Sequence, residues 1–166
     1  MDTTFLRELR KGHLSVRLID APFPVDLVNQ IKISIERFEA TYRNEIDGTQ
    51  TITLFESDEP ATMDLLSLIN SNSFELADKD VPIGDYTALI LHLSEVKVHM
   101  NDGQAFDVNV PGGVSGIRIN VNPQIQIDYT EAVNLFLDFD VSRSFISKGN
   151  SNNPAGITGF TLRPTF

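Results

Sequence analysis

Apolar side chains recur at every second residue over much of this chain, and that period decides what it can fold into. In "HLSVRLID", Leu14, Val16 and Leu18 alternate with Ser15 and Arg17. In "VNQIKISIERF", Ile31, Ile33 and Ile35 alternate with Lys32, Ser34 and Glu36. "AVNLFLDFDV" repeats the pattern with Val133, Leu135, Leu137, Phe139 and Val141. Side chains on an extended strand point to opposite faces in turn. A period of two therefore marks a strand with one face in a core and one in water. "YTALILHLSEVKVHM" is apolar at both parities around Ala88 to Leu91, the pattern of a central strand covered on both faces.

Turn residues divide these runs. Asp102-Gly103 in "VKVHMNDGQAFDV" and Asp47-Gly48 in "EIDGTQTITLF" predict tight hairpins, because glycine accepts the positive φ such turns need. "VPGGVSGIRI" and "KGNSNNPAGI" read as longer loops. Only "TMDLLSLINSNSFELAD" carries helical spacing, through Leu65, Leu66 and Ile69. The expectation is an all-β chain of eight or nine strands with at most one or two short helical turns. They should form an antiparallel two-sheet β-sandwich, immunoglobulin- or transthyretin-like, with a closed β-barrel as the alternative. Leu14, Val16, Leu18, Ile31, Ile33, Ile35, Leu89, Leu91, Leu135, Leu137 and Phe139 are the expected core. At 166 residues the chain can bury one self-sufficient core. Residues 13–166 read as a single domain, and residues 1–12 as a polar leader or a cloning-derived tail.

Composition removes whole classes of function. There is no cysteine, which excludes disulfides, Cys-ligated zinc, iron–sulfur clusters and thiol catalysis. A formal net charge of −10 repels phosphate backbones, so no nucleic-acid partner is expected. No apolar run approaches the roughly 18 residues of a membrane-spanning helix. At the start of the chain Phe5, Leu6 and Leu9 are too few for the apolar stretch of a signal peptide. The expectation is either a cytosolic protein or one separated from its export signal.

The residues with candidate chemistry are few. Asp138 and Asp140 stand two apart in "NLFLDFDVSRSF", on a strand expected to end near Val141. A continuous strand would put both carboxylates on one face, about 6–7 Å apart. Such a pair suits a bridging calcium or a two-carboxylate acid/base pair of the glycosidase kind. Solvation of one strand face explains it as well, because acids facing water need no functional cause. A calcium site would need further oxygens, from loop carbonyls or Asp128. The solvated reading is preferred, with Asp138 and Asp140 kept as the metal candidates, no catalytic residue expected and no cofactor beyond that calcium. Asp20 reads as a turn cap before Ala21-Pro22.

Two enzyme motifs fail on spacing. Ser115 lies in Gly113-Val114-Ser115-Gly116-Ile117 rather than Gly-x-Ser-x-Gly, and the same glycines precede a β run rather than the helix of a dinucleotide site. His13, His92 and His99 lack zinc-triad spacing, and His92 reads as a core or face histidine. "ESDE" at Glu56 to Glu59 and "ADKD" around Asp78 and Asp80 read as solvated loops. With no Trp and only Tyr42, Tyr86 and Tyr129, an aromatic sugar platform is not signalled, although carbohydrate stays among the expected partners.

"GHLSVRLIDAP", "MDLLSLIN", "VPIGDYTALIL", "VPGGVSGIRIN", "VNLFLDFDVSRS" and "GFTLRP" succeed one another in the order of a bacterial family, domain of unknown function forty-three eighty-two. The chain resembles that family from Gly12 to Pro164. Its members are typically predicted exported lipoproteins or cell-surface proteins. The resemblance implies a sandwich fold and an extracytoplasmic place, in the periplasm or at the cell surface, with protein or carbohydrate partners. It implies attachment to the membrane only through a lipid anchor that this sequence does not contain. It implies no enzymatic activity. A non-catalytic module for adhesion, assembly or ligand capture is the resulting expectation; a glycan-directed hydrolase or a calcium-stabilised carbohydrate-binding module is the alternative.

Overall fold

Each of the three alternating runs is a strand in the computed structural model, which describes residues 11–20, 28–68, 73–111, 116–130, 132–149, 157–163 and 166. In chain order the strands are β1 (Lys11–Asp20), β2 (Val28–Asn44), β3 (Gly48–Asp64), β4 (Phe74–Pro82), β5 (Gly84–Met100) and β6 (Ala105–Asp107). They continue with β7 (Ile117–Ile127), β8 (Ala132–Phe139), β9 (Phe145–Gly149) and β10 (Ile157–Leu162). One 3-10 turn, Leu65–Leu68, comes after β3, and one helical turn, α1 (Val141–Ser144), comes after β8.

The strands make a two-sheet sandwich. The larger sheet runs β3-β2-β5, and β5 carries both β6 and β7 on its far side. β7 pairs with Gly84 to Leu91 and β6 with Lys97 to His99, so the 17-residue β5 is central, as its apolar run predicts. The smaller sheet is β4-β1-β8, and β9 and β10 form a separate hairpin. None of these sheets closes on itself, so the barrel alternative is set aside. Among the described residues, no helix is long and apolar enough to cross a membrane.

Two features differ from expectation. Among the described residues there are ten strands rather than eight or nine. The sandwich is also not wholly antiparallel, because β1 and β8 run parallel, from His13 beside Ala132 to Asp20 beside Phe139. Side-chain alternation is blind to strand direction. Only a short connection forces an antiparallel neighbour, and these two strands are separated by most of the chain.

The core lies between the two sheets. Leu14, Val16 and Leu18 are fully buried and share one cluster with Ile31, Ile33, Ile35, Leu89, Leu91, Leu137 and Phe139. Leu135 is the one expected core residue that stays half-buried. The long strands keep their apolar face inward by changing parity. On β2 the buried set moves from Ile31, Ile33 and Ile35 to Phe38, Ala40 and Tyr42, with a register shift between Ile35 and Arg37 in both of its ladders. On β5 it moves from Leu89 and Leu91 to Val96, Val98 and Met100 across Ser94. An extra residue in one strand rotates the residues after it to the other face, which lets a 17-residue strand twist without exposing its core side.

Both predicted hairpins form. Gly48 opens β3 at φ 68° and Gly103 turns β5 into β6 at φ 93°. The predicted helical turn also forms, but on a period of three: Leu65 and Leu68 are buried while Leu66 is partly buried. Asp64 Oδ1 accepts from Leu66 N at 3.0 Å, capping it, and from Ile31 N at 3.0 Å, tying it to β2. Ile69, the third residue of the expected stripe, lies outside the described residues.

Candidate functional site

The two acids of "DFD" part company in the fold. β8 ends at Phe139, so Asp138 is its last outward-facing residue and is exposed. Asp140 stands one residue beyond the strand and begins α1. Its Oδ1 accepts from Arg143 N at 3.2 Å and its carbonyl accepts from Ser144 N at 2.9 Å. Its Oδ2 also lies 3.5 Å from Arg143 Nε. This is a helix N-cap: a short side chain with an oxygen that satisfies an amide the first turn leaves free. The expected strand end near Val141 is therefore corrected to Phe139, and the shared strand face for both carboxylates is corrected with it. Ser144 is fully buried, and its carbonyl accepts from Arg163 N at 2.7 Å, which locks the turn to the C-terminal end of β10. Asp128 turns its own loop, accepting from Thr130 N at 2.9 Å and Thr130 Oγ1 at 2.5 Å.

The geometry expected of Asp138 and Asp140 occurs elsewhere. Asp78 and Asp80 lie on β4, not in a loop, and their two-residue spacing does put both on one strand face. Antiparallel pairing sets His13 opposite Asp80 and Ser15 opposite Asp78. The His13 ring sits between the two acids, with Nδ1 3.0 Å from Asp80 Oδ1 and Nε2 hydrogen-bonded to Asp78 Oδ1. When both ring nitrogens donate, the imidazole is a cation, and the bonds to Asp80 and then Asp78 push its pKa above the usual histidine value. A metal would need a ring lone pair and both carboxylates aimed at one point; here each acid takes a different nitrogen. Among the described residues, no three His, Asp or Glu side chains converge in a way that could hold a metal ion.

A second histidine is buried on the larger sheet. His92 is 5% exposed, and its Nε2 lies 2.5 Å from Glu39 Oε1 across the β2–β5 ladder. Gly116 closes over it. A Cβ there would come within 2.8 Å of His92 Cε1 and within 2.8 Å of Ile90 Cγ2, and its φ of 77° is one that glycine adopts without strain. The reading of His92 as a core histidine thus acquires its partner, Glu39, and its roof, Gly116. Residues 112–115 of the preceding loop, Ser115 among them, lie outside the described residues. Among the described residues, His99 Nε2 is buried without a hydrogen-bond partner.

The other candidates fall into place as structural parts. Glu56 to Glu59 lie within β3, not in a loop. Between Glu56 opposite Arg37 and Ala61 opposite Ile35, residues 57–60 bulge out of the ladder, with Ser57 Oγ donating to the Glu59 carbonyl at 2.7 Å. Tyr42 and Tyr86 are core residues stacked at 5.4 Å, their hydroxyls donating to Asp47 and to the Pro82 carbonyl. Burial pushes both phenols above the usual tyrosine range. Of the three tyrosines only Tyr129 is exposed, at 70%. Asp20 closes β1, and the turn expected at Ala21-Pro22 lies outside the described residues.

The family model described as "Domain of unknown function (DUF4382)" matches residues 11–164, and the chain belongs to that family. No curated protein matches the chain significantly. No solved structure does either.

Proposed function

We propose that this DUF4382 domain is a non-catalytic β-sandwich module that works outside the cytoplasm, in the periplasm or at the cell surface. Its role is adhesion, assembly or ligand capture through loops and sheet surfaces held by a rigid core. The observation that carries the non-catalytic half is the employment of Asp140. A glycosidase needs two carboxylates facing each other across the scissile bond, about 5–10 Å apart. Here one acid of the candidate pair caps a helical turn beside Arg143, and the other looks into open solvent at the end of β8. The His13 cluster binds its own strands together, which is structural work. The extracytoplasmic half is supported by the resemblance to a family of predicted exported and surface proteins, and a net charge of −10 suits a solvated, exposed module.

The test has two arms. The full gene product is tracked in its native cells by fractionation and by protease treatment of intact cells; recovery in the envelope or periplasmic fraction is expected, and a purely cytosolic protein would overturn the placement. The purified domain is also incubated with a panel of glycans and glycosides. No turnover is expected, and activity that disappears in Asp138→Asn would establish the hydrolase instead.

A further inference from the structure

A sheet edge is a row of unpaired amides and carbonyls, and proteins guard such edges with charge, proline, bulges or brevity. Among the described residues nearly all of the sheet edges are guarded. β3 carries the acidic bulge at 57–60, β4 carries Asp78, Lys79, Asp80 and Pro82, and β6 is three residues long. β7 is broken by an irregularity and contains Pro123, and β9 and β10 are short. β8 differs. Among the described strands it ends the order β4-β1-β8; it runs for eight residues and has Asp138 as its only charge. Apolar surface gathers on both of its faces. Phe136, outward, is 61% exposed, and Val133 and Leu135, inward, are only partly buried where Leu137 and Phe139 further along are closed off.

We propose that β8 pairs antiparallel with β8 of a second copy of this chain, joining the two small sheets into one of six strands. The sequence of β8 selects this occupant because it complements itself. With a two-fold axis at Phe136, Phe136 faces its own copy, Leu135 faces Leu137, and Val133 faces Phe139. Asp138 meets Asn134, so the strand's one carboxylate lies beside an amide that can donate to it rather than beside another acid. Every inward residue meets an apolar one, and the half-buried Val133 and Leu135 are covered. A two-fold axis normal to the sheet keeps both large sheets on the same side and closes the assembly at two copies, as an isologous interface must. This names a partner for the assembly role proposed above and rests on that reading only for its purpose, not for its geometry.

Sedimentation velocity over a concentration series tests it on the full chain. A reversible monomer–dimer equilibrium is expected. Asn134→Lys places an ammonium beside Asp138 twice per dimer and should tighten it by roughly two- to thirtyfold; Asn134→Asp should weaken it by a similar factor. These 166 residues contain no cysteine, so Phe136→Cys gives a clean second readout. Under mild oxidation it should form a disulfide-linked dimer, while Glu75→Cys on the guarded β4 edge should not. A wild type that stays monomeric, or a dimer indifferent to both Asn134 variants and to Phe136→Cys, would overturn the pairing. Either result would leave the surface-module reading intact, because that reading is decided by fractionation and glycan turnover.

Discussion

His13 Nδ1 lies 3.0 Å from Asp80 Oδ1 across the β1–β4 ladder, and Asp78 takes the other ring nitrogen. The two strands are therefore joined by a histidine that is bonded on both sides only as a cation. Its pKa is raised in the fold, with Asp80 the larger cause and Asp78 the second. A raised folded pKa means that the clamp stabilises fully below the unfolded histidine value of about 6.5 and is lost as pH rises through the folded value. Proton NMR titration of the His13 ring should place its midpoint above 6.5. The urea midpoint of the wild type should exceed that of His13→Gln at about pH 6 and converge with it in alkali. An advantage that grows with pH would contradict the clamp.

The buried histidine makes a different prediction. His92 is tied to Glu39 at the centre of the large sheet, and removing one partner leaves the other's polar atom buried without a bond. Glu39→Ala should cost about 1–3 kcal/mol in urea unfolding, and Glu39→Gln less, because an amide oxygen still accepts. Equal losses in the two variants would mean that the hydrogen bond is not what holds Glu39 in place.

Gly116 and Gly103 share a positive φ but not their surroundings. None of the described residues lies within 4 Å of a Cβ at Gly103, so Gly103→Ala should lose only the conformational term, about 1–2 kcal/mol. At Gly116 a Cβ meets the His92 ring and Ile90 as well. Gly116→Ala should therefore be clearly the more destabilising of the two, and a thermal scan of both variants reads the difference directly.

Much of this fold is legible from parity alone. Leu14, Val16 and Leu18, or Ile31, Ile33 and Ile35, announce strands and their inner faces because burial acts on every second residue. The hairpins at Gly48 and Gly103 are legible for a local reason, the φ that their turns require. What is not legible depends on distant partners. Asp78 and Asp80 carry the same spacing as Asp138 and Asp140, but nothing near them in the chain reveals that His13, 65 residues away from Asp78, will lie between them. The parallel run of β8 beside β1 is hidden for the same reason. At the candidate pair itself alternation misleads, because it does not mark where a strand stops: Asp140 continues the parity of Asp138 but belongs to the next turn.

The faces of β8 can be tested by two neighbouring substitutions. Leu137 is in the core cluster and Asp138 looks outward. Leu137→Ala should cost about 2–5 kcal/mol, from lost transfer energy and the cavity left behind. Asp138→Asn should stay within about 0.5 kcal/mol, as exposed substitutions usually do. Equal shifts in urea midpoint would put Asp138 against something the fold does not provide.

Asp140 separates a cap from a ligand. As an N-cap its oxygen accepts the Arg143 amide, and asparagine performs that task about as well as aspartate. Asp140→Asn should therefore keep most of the stability, giving up only the ion pair with Arg143, whose side chain is 78% exposed and contributes little. Asp140→Ala removes the acceptor and should cost about 0.5–2 kcal/mol. A calcium ligand would behave otherwise, because replacing a charged oxygen by a neutral one weakens a hard-cation site sharply. Unfolding is to be measured for wild type, Asp140→Asn and Asp140→Ala, each with and without calcium after chelation. The order wild type, then asparagine close behind, then alanine, unchanged by calcium, is the expected result. A wild-type midpoint that rises with calcium, and an asparagine variant that loses the rise, would instead make Asp140 a metal ligand.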